Sequence, residues 1–231
     1  MRGLARREGR RVTPTLRLAD VLDRLQALPP DLPTPPAILA PVLVDGASRP
    51  VPPIEAPRPA AVLVLLVPGD AGEALVVLTE RTDRGGPHGG EVSFPGGAVE
   101  SEDANPVAAA LREAAEEIGL DPEAAAVTVL GELEPVVVAV SGYRITPVVA
   151  AAGRRPSYRP APAEVAAVFE APLETFLPGA PIEIVEQTIG ERRIRYGAYP
   201  VAGHRVWGAT ARILGQLGAL VSGGAEDEGR P

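Results

Sequence analysis

The chain has 231 residues, 45% of them apolar, and its 22 basic residues against 30 acidic ones give a net charge of −8. The absence of cysteine excludes disulfides, thiolate nucleophiles and cysteine-ligated zinc. The acidic balance disfavours a protein that coats nucleic acid, which needs clustered positive charge against the phosphates.

The first 57 residues predict a lead-in to a domain. Residues 1–12 carry five arginines and are expected to form a disordered basic arm, and residues 15–28 predict a short helix. The remainder is rich in proline and serves either as a strap that forms a homodimer or as a tether. Because no apolar run approaches the roughly 20 residues of a membrane helix, we expect no membrane partner and a cytoplasmic location.

The compact domain is expected over residues 58–221 and a flexible tail over 222–231. Apolar runs of strand length and helical periodicity define its elements. The predicted strands are 60–67, 74–79, 126–130, 135–140, 144–150, 165–169 and 192–197, and the predicted helices are 106–118, 173–177 and 207–221.

The helix at 106–118 has clear end signals: Asn105 can cap it, Pro106 suits its first position, and Gly119 suits a left-handed C-terminal cap. A helical wheel divides it into an apolar face and an acidic face. The apolar face is expected to contain Val107, Leu111, Ala114, Ala115 and Ile118, and the acidic face to include Ala109 and Ala110, which leave space beside the carboxylates.

Three carboxylates, those of Glu113, Glu116 and Glu117, fall within about 100° on the acidic face. Alone, such a segment is typical of a solvated surface. Crowded like charges also suit a hard divalent cation that takes several oxygen ligands, which favours Mg²⁺ or Mn²⁺ over zinc.

The sequence before this helix carries a family resemblance. It reads Phe94-Pro95-Gly96-Gly97, then five residues, Asp103, eight residues, and Arg112-Glu113-Ala114-Ala115-Glu116-Glu117-Ile118-Gly119-Leu120. This pattern resembles the signature box of the Nudix hydrolases, which usually has Glu at the Asp103 position and seven intervening residues. The longer form with Asp is similar to the coenzyme A pyrophosphatase-like branch.

A second stretch supports that branch. It begins Val77-Leu78-Thr79-Glu80-Arg81-Thr82 and keeps the branch's spacing through Gly90 to Phe94. Gly86 stands where the branch has a second arginine, and Arg84 is a candidate to replace it. Residues 141–147 and 203–210 also look like that branch.

The resemblance implies an α/β fold, a Nudix-type α/β/α sandwich with a mixed β-sheet. It also implies hydrolysis of a phosphoanhydride, with Mg²⁺ or Mn²⁺ held by Glu113, Glu116, Glu117 and the Gly97 carbonyl. Arg112 is expected to reach Asp103 or Glu116 and to hold the loop against the helix.

The expected partner is a small nucleotide, most directly coenzyme A or an acyl derivative. A pyrophosphatase for ADP-ribose, NADH or another dinucleotide, and a catalytically silent ligand sensor, are the alternatives. Glu164 is a candidate general base, although none is needed if water is activated by the metal alone. Five residues are assigned to substrate binding: Arg58 and Arg81 for phosphate, together with Arg84, Phe94 and Tyr143, the last of which lines an adenine pocket or packs. His204 and Trp207 are expected to pack around the final helix.

Overall fold

The computed structural model describes residues 15–26, 28–44, 55–83, 90–139, 141–189 and 192–223. The predicted basic arm, most of the predicted tail, Arg84 and Gly86 lie outside the described residues. The helices are α1 (Leu18–Leu25), α2 (Pro106–Ile118) and α3 (Gly208–Val221), with short 3-10 helices at Ala37–Leu39 and Leu173–Phe176. The strands are β1 (Val42–Leu43), β2 (Arg58–Pro68), β3 (Ala74–Arg81), β4 (Val92–Ser93), β5 (Gly96–Ala98), β6 (Val127–Glu132), β7 (Val136–Val138), β8 (Tyr143–Ala152), β9 (Val165–Pro172), β10 (Glu183–Ile189), β11 (Arg192–Val201) and β12 (His204–Val206).

The main sheet is mixed. Its strand order is β4-β3-β2-β8-β6, with β5 also on β2, β7 on β8 and β9 on β3. Strands β2 and β8 are parallel, with Arg58 opposite Tyr143 and Leu66 opposite Ala151, and the other pairs are antiparallel. A smaller antiparallel sheet contains β1, β11, β10 and β12.

Both faces of β2 are buried, which explains why its sequence is a continuous apolar run. Leu63 and Leu65 face the core beside α2, whereas Val64 and Leu66 face the core that α1 and α3 cover. The helices therefore lie on opposite faces of a mixed sheet, and the expected α/β/α sandwich is confirmed.

The lead-in that precedes residue 58 packs into this core. Val21, Leu25 and Leu39 are fully buried in the same cluster as Val64. Hydrogen bonds also hold the lead-in: β1 pairs with β11, and the Gln216 side chain donates to the Pro33 carbonyl at 3.1 Å. Residues 15–26 and 28–44 thus belong to the folded body.

Helix α2 has the predicted bounds and caps. The Asn105 side chain accepts a hydrogen bond from the amide of Ala108, and Gly119 is left-handed with φ 65°. Its orientation differs from the prediction, because Ala109 and Ala110 are fully buried while Ala115 is exposed. Small alanines let α2 approach β2 closely, so they fill the core and leave no space for a ligand.

None of the helices in the described part of the chain is long and apolar enough to cross a membrane.

Candidate active site

The site lies where β2 and β3 diverge. The two strands pair only over residues 66–68 and 74–76, and before that β2 pairs with β5 while the end of β3 pairs with β4. The turn between β4 and β5 fills the opening, where the amide of Leu63 donates to the Pro95 carbonyl at 2.8 Å. Gly96 has φ 154°, and a Cβ there would collide with the Ala61 carbonyl, so this close approach requires glycine.

Glu117 is a buried carboxylate at the centre of the site. It lies in the last turn of α2, is 5% exposed, and accepts a hydrogen bond of 3.0 Å from the Gly96 amide on Oε2. Burial raises the pKa of Glu117 to about 7, against the opposing effects of the Gly96 amide and the Arg81 guanidinium. The charge of Arg81 therefore acts on this carboxylate.

Glu113 lies one helical turn earlier and its carboxylate contacts Gly97, where a Cβ would collide with it. Burial raises the pKa of Glu113, Arg112 lowers it, and the negative charges of Glu116 and Glu164 raise it further. Glu164 also raises the pKa of Glu117. Glu164 is exposed, and its charge acts on both carboxylates.

Arg112 ties the loop to the helix. It donates from Nε and Nη2 to Asp103, from Nη2 to the Ala98 carbonyl at 3.1 Å, and from Nη1 to Glu113 and Glu116, each at 3.1 Å. Sequence reasoning offered Asp103 or Glu116 as the partner, and the structure shows both. These contacts raise the pKa of Arg112 above its usual value, chiefly through Asp103.

The donor chemistry fits a hard divalent cation. The groups around Gly97 are carboxylate and carbonyl oxygens, which are the ligands that such cations prefer, and burial raises the pKa of both Glu113 and Glu117. Across the described ranges, no three Asp, Glu, His or Cys side chains already converge as a metal-binding group. Glu113 and Glu116 accept hydrogen bonds from Arg112, and Glu117 accepts one from the Gly96 amide.

The other residues that the sequence assigned to substrate binding lie in different environments. Arg58 lies over the ring of Tyr143, 4.1 Å from its centroid, and donates to the Ser141 carbonyl at 3.1 Å. Phe94, assigned to substrate binding from the sequence, is 2% exposed and packs in the core, so its ring does not face a ligand. Arg81 is exposed and near Glu117.

The hydrogen bond from the Gly96 amide to Glu117 was not predicted from the sequence. The donor is a backbone amide, so no side-chain pattern identifies it, and only the paired glycines at 96 and 97 signal a close approach of backbone to the helix.

Comparison with known proteins identifies relatives over most of the described fold. The family model described as "NUDIX domain" matches residues 57–183. The chain is 41% identical over 164 residues to "Nudix hydrolase 15, mitochondrial" of Arabidopsis thaliana, covering 68% of this chain but only 56% of the plant protein. It is 41% identical over 167 residues to "Uncharacterized Nudix hydrolase NudL" of Escherichia coli (strain K12), covering 69% and 81% of the two chains. A solved Nudix hydrolase of M. smegmatis, RenU, is 28% identical with a TM-score of 0.44, covering 58% of this chain and 79% of that one.

Proposed function

The chain belongs to the Nudix family, and on this premise we propose that it hydrolyses the pyrophosphate bond of a nucleoside-diphosphate-linked compound with Mg²⁺ or Mn²⁺. The observation that carries the proposal is the pairing of Glu117 with the Gly96 amide beside the Glu113 carboxylate on Gly97. It places two desolvated carboxylates against a glycine turn at an opening of the sheet. Anionic phosphates need cationic partners there, and the oxygen donors supply a place for one.

The cation would be held by Glu113, Glu116, Glu117 and the Gly97 carbonyl. A divalent cation in such a site neutralises phosphate oxygens and makes water a better nucleophile. Arg112 fixes the loop against the helix so that the glycine backbone and the carboxylates keep their relative positions. The exposed Arg81, whose charge already acts on Glu117, orients a phosphate at the edge of the site.

The substrate proposed first is coenzyme A or an acyl-coenzyme A, giving adenosine 3′,5′-bisphosphate and the (acyl-)4′-phosphopantetheine. This choice is supported by the likeness of residues 77–94, 141–147 and 203–210 to the coenzyme A pyrophosphatase-like branch. Gly86 in place of the branch's second arginine keeps ADP-ribose and NADH as alternatives.

Glu164 is the proposed position of a general base if the reaction uses one. Glu164 comes shortly after residues 159–161, which contact the end of α2. In that contact the amide of Ala161 donates to the backbone carbonyl of Glu117 at 2.8 Å. The Glu164 carbonyl accepts from the amide of Thr82 at 2.9 Å, which fixes its backbone beside the end of β3.

The test is steady-state hydrolysis by the purified protein with Mg²⁺ and, separately, Mn²⁺. Coenzyme A, acetyl-coenzyme A, ADP-ribose, NADH and a diadenosine polyphosphate are compared, with products separated by chromatography. Preference for the coenzyme A compounds supports the first substrate, and preference for another compound replaces it. Binding of a nucleotide without turnover of any substrate would identify a silent ligand sensor and overturn the proposal.

A further inference from the structure

The C-terminal end of helix α2 is held by a segment that comes much later in the chain. The last carbonyl groups of a helix have no partners within it and need donors from elsewhere. Here the amide of Ala161 donates to the backbone carbonyl of Glu117 at 2.8 Å, and the amide of Arg159 donates to the carbonyl of Ile118 at 2.7 Å. Two backbone hydrogen bonds from one segment therefore close the helical turn that carries the buried Glu117.

Close packing fixes this segment against the helix. Gly119, the left-handed residue that ends α2, lies so near Arg159 that an added Cβ would be 2.9 Å from the Cβ of Arg159 and 3.2 Å from its carbonyl oxygen. Tyr158, just before the segment, packs against the core beside α2. The two backbone hydrogen bonds are thus backed by side-chain and main-chain contacts on both sides.

The same segment is tied at its other end to the residue that follows β3. The carbonyl of Ala161 accepts hydrogen bonds from the amides of Glu164 and Val165, each at 2.9 Å, and these bonds close a tight turn. The carbonyl of Glu164 accepts from the amide of Thr82, also at 2.9 Å. Residues 159–165 therefore form a bridge segment between the last turn of α2 and the end of β3.

Glu117 is consequently held at two points. Its carboxylate accepts a hydrogen bond from the Gly96 amide at 3.0 Å, and its backbone carbonyl accepts the one from Ala161. Helix ends fray when their terminal carbonyls lack donors. Without the Ala161 contact, the last turn of α2 would fray more readily, and the Glu117 carboxylate would no longer be fixed relative to the glycine turn.

We propose that Ala161 is a positioning residue, whose backbone amide holds the last turn of α2 so that the Glu117 carboxylate is kept in place to bind the divalent cation. The inference rests on the proposed function, because Glu117 is a ligand of the proposed metal site. Ala161 acts through the backbone of Glu117 and not through its own side chain, so no side-chain motif marks it.

Replacing a single amide with an ester isolates this contact. Lactic acid at position 161, introduced into the full-length chain by cell-free translation, replaces the N–H with an oxygen and keeps the methyl side chain. Lactic acid at position 163 is the matched control, because the Ala163 amide donates to no other group among the described residues. Mn²⁺ binding in the absence of substrate is measured by electron paramagnetic resonance for the unmodified chain, both esters, E117Q, and E117Q combined with the 161 ester.

The 161 ester is expected to weaken Mn²⁺ binding at least about threefold, which is the size of effect of one backbone hydrogen bond. The 163 ester is expected to bind Mn²⁺ as the unmodified chain does. E117Q should weaken binding roughly 10- to 100-fold. In E117Q the 161 ester should have no further effect, because Ala161 acts through the carboxylate that this variant lacks. Equal weakening by both esters, no weakening by the 161 ester, or a persistent effect in E117Q overturns the inference.

Hydrogen exchange of the unmodified protein is a second measurement, which does not depend on the folding of an ester variant. Exchange of the Ala161 amide is compared with and without Mg²⁺, and the reference is the Val127 amide, which donates to the Pro122 carbonyl at 2.8 Å away from the site. Because positioning and metal binding are reciprocally linked, Mg²⁺ should slow exchange at Ala161 at least about threefold more than at Val127. Equal slowing at both amides, or none at Ala161, overturns the inference.

The Mn²⁺ measurements separate this inference from the proposed function. If E117Q binds Mn²⁺ as tightly as the unmodified chain, the proposed metal site fails and the inference fails with it. If E117Q binds Mn²⁺ more weakly but the 161 ester does not, the positioning role of Ala161 fails and the proposed function stands.

Discussion

The guanidinium of Arg112 meets the carboxylate of Asp103 through two hydrogen bonds, Nε to Oδ1 at 3.2 Å and Nη2 to Oδ2 at 3.0 Å. This paired geometry joins the loop after β5 to the middle of α2. Asp103 is held on its own side by the amide of Glu100 at 2.9 Å, and together these contacts, that of Arg112 first, keep the pKa of Asp103 below its usual value. The contact between Asp103 and Arg112 therefore holds together the two ends of the eight-residue segment between them, which contains the start of α2.

Replacing Arg112 with lysine should impair catalysis through positioning. Lysine offers a point charge in place of a planar fork, so the paired contact to Asp103 is lost. We expect R112K to lower kcat by a factor on the order of 100, because small displacements of catalytic groups have effects of that size. Arg155 provides the control, since it contacts Glu170 with a similar fork outside the site. Steady-state kinetics should show a lower kcat for R112K than for R155K. Equal kcat values for the two variants would contradict the positioning role.

A side chain at position 97 should displace the Glu113 carboxylate from its place in the site. Its Cβ would collide with the end of a flexible carboxylate, so G97A should displace that carboxylate while the fold persists. We expect the concentration of Mg²⁺ needed for half-maximal turnover to rise roughly 10- to 100-fold. At Gly153 an added Cβ meets only Ala126, at 3.4 Å, so G153A is the matched control. A normal Mg²⁺ requirement for G97A would show that the contact is unimportant.

The buried Glu117 should make the metal-free protein less stable as pH rises. Its pKa is raised from 4.5 to about 7, so the folded state binds this proton more tightly than the unfolded state does. The free energy of unfolding should therefore fall between about pH 4.5 and about pH 7, by roughly 3 kcal/mol from this group.

Urea unfolding in EDTA tests this at the two ends of that range. E117Q lacks the titrating group, so its stability should fall less than that of the unmodified chain over the same range. Saturating Mg²⁺ should restore stability at the higher pH in the unmodified chain, because it binds the folded state. Parallel pH profiles for the two chains would show that the carboxylate is not desolvated as described.

The lead-in should contribute to global stability. Leu39 is fully buried and the adjacent Ile38 is 48% exposed, so the two form a matched pair within one 3-10 helix. L39A should lower the free energy of unfolding by about 2–5 kcal/mol, whereas I38A should cost less than about 1 kcal/mol. Chemical denaturation of both variants checks this. Each variant is expected to unfold in a single transition. If L39A were as stable as I38A, the lead-in would contribute nothing to global stability and would act only as a tether.

The sequence predicted α2 most closely, because Asn105, Pro106 and Gly119 mark its ends independently of tertiary contacts. It did not predict β10, whose residues Glu183–Ile189 depend on pairing with β11 and carry exposed apolar Ile184. Strands of two or three residues such as β4 and β5 are too short to show a period and are defined by their partners.

The environment of the candidate carboxylates was not predicted from the sequence. Spacing placed the carboxylates on one helix face, yet the wheel gave no means of knowing that the turn at Gly96 covers Glu117. Ala109 and Ala110 are buried in the core beside α2, and Phe94 is buried in the core on the other side of the main sheet. These differences arise from contacts between segments distant in sequence, to which a local periodicity is insensitive.

The most direct test of the central claim compares the turnover of the unmodified chain, E117Q and E123Q with saturating Mg²⁺ and coenzyme A. Glu123 is exposed in the turn after α2 and serves as the matched glutamate outside the site. The proposed site predicts that kcat of E117Q falls by a factor on the order of 1000 while circular dichroism shows an intact fold and E123Q keeps full activity. Hydrolysis by E117Q at the rate of the unmodified chain would contradict the assignment of the reaction to this site.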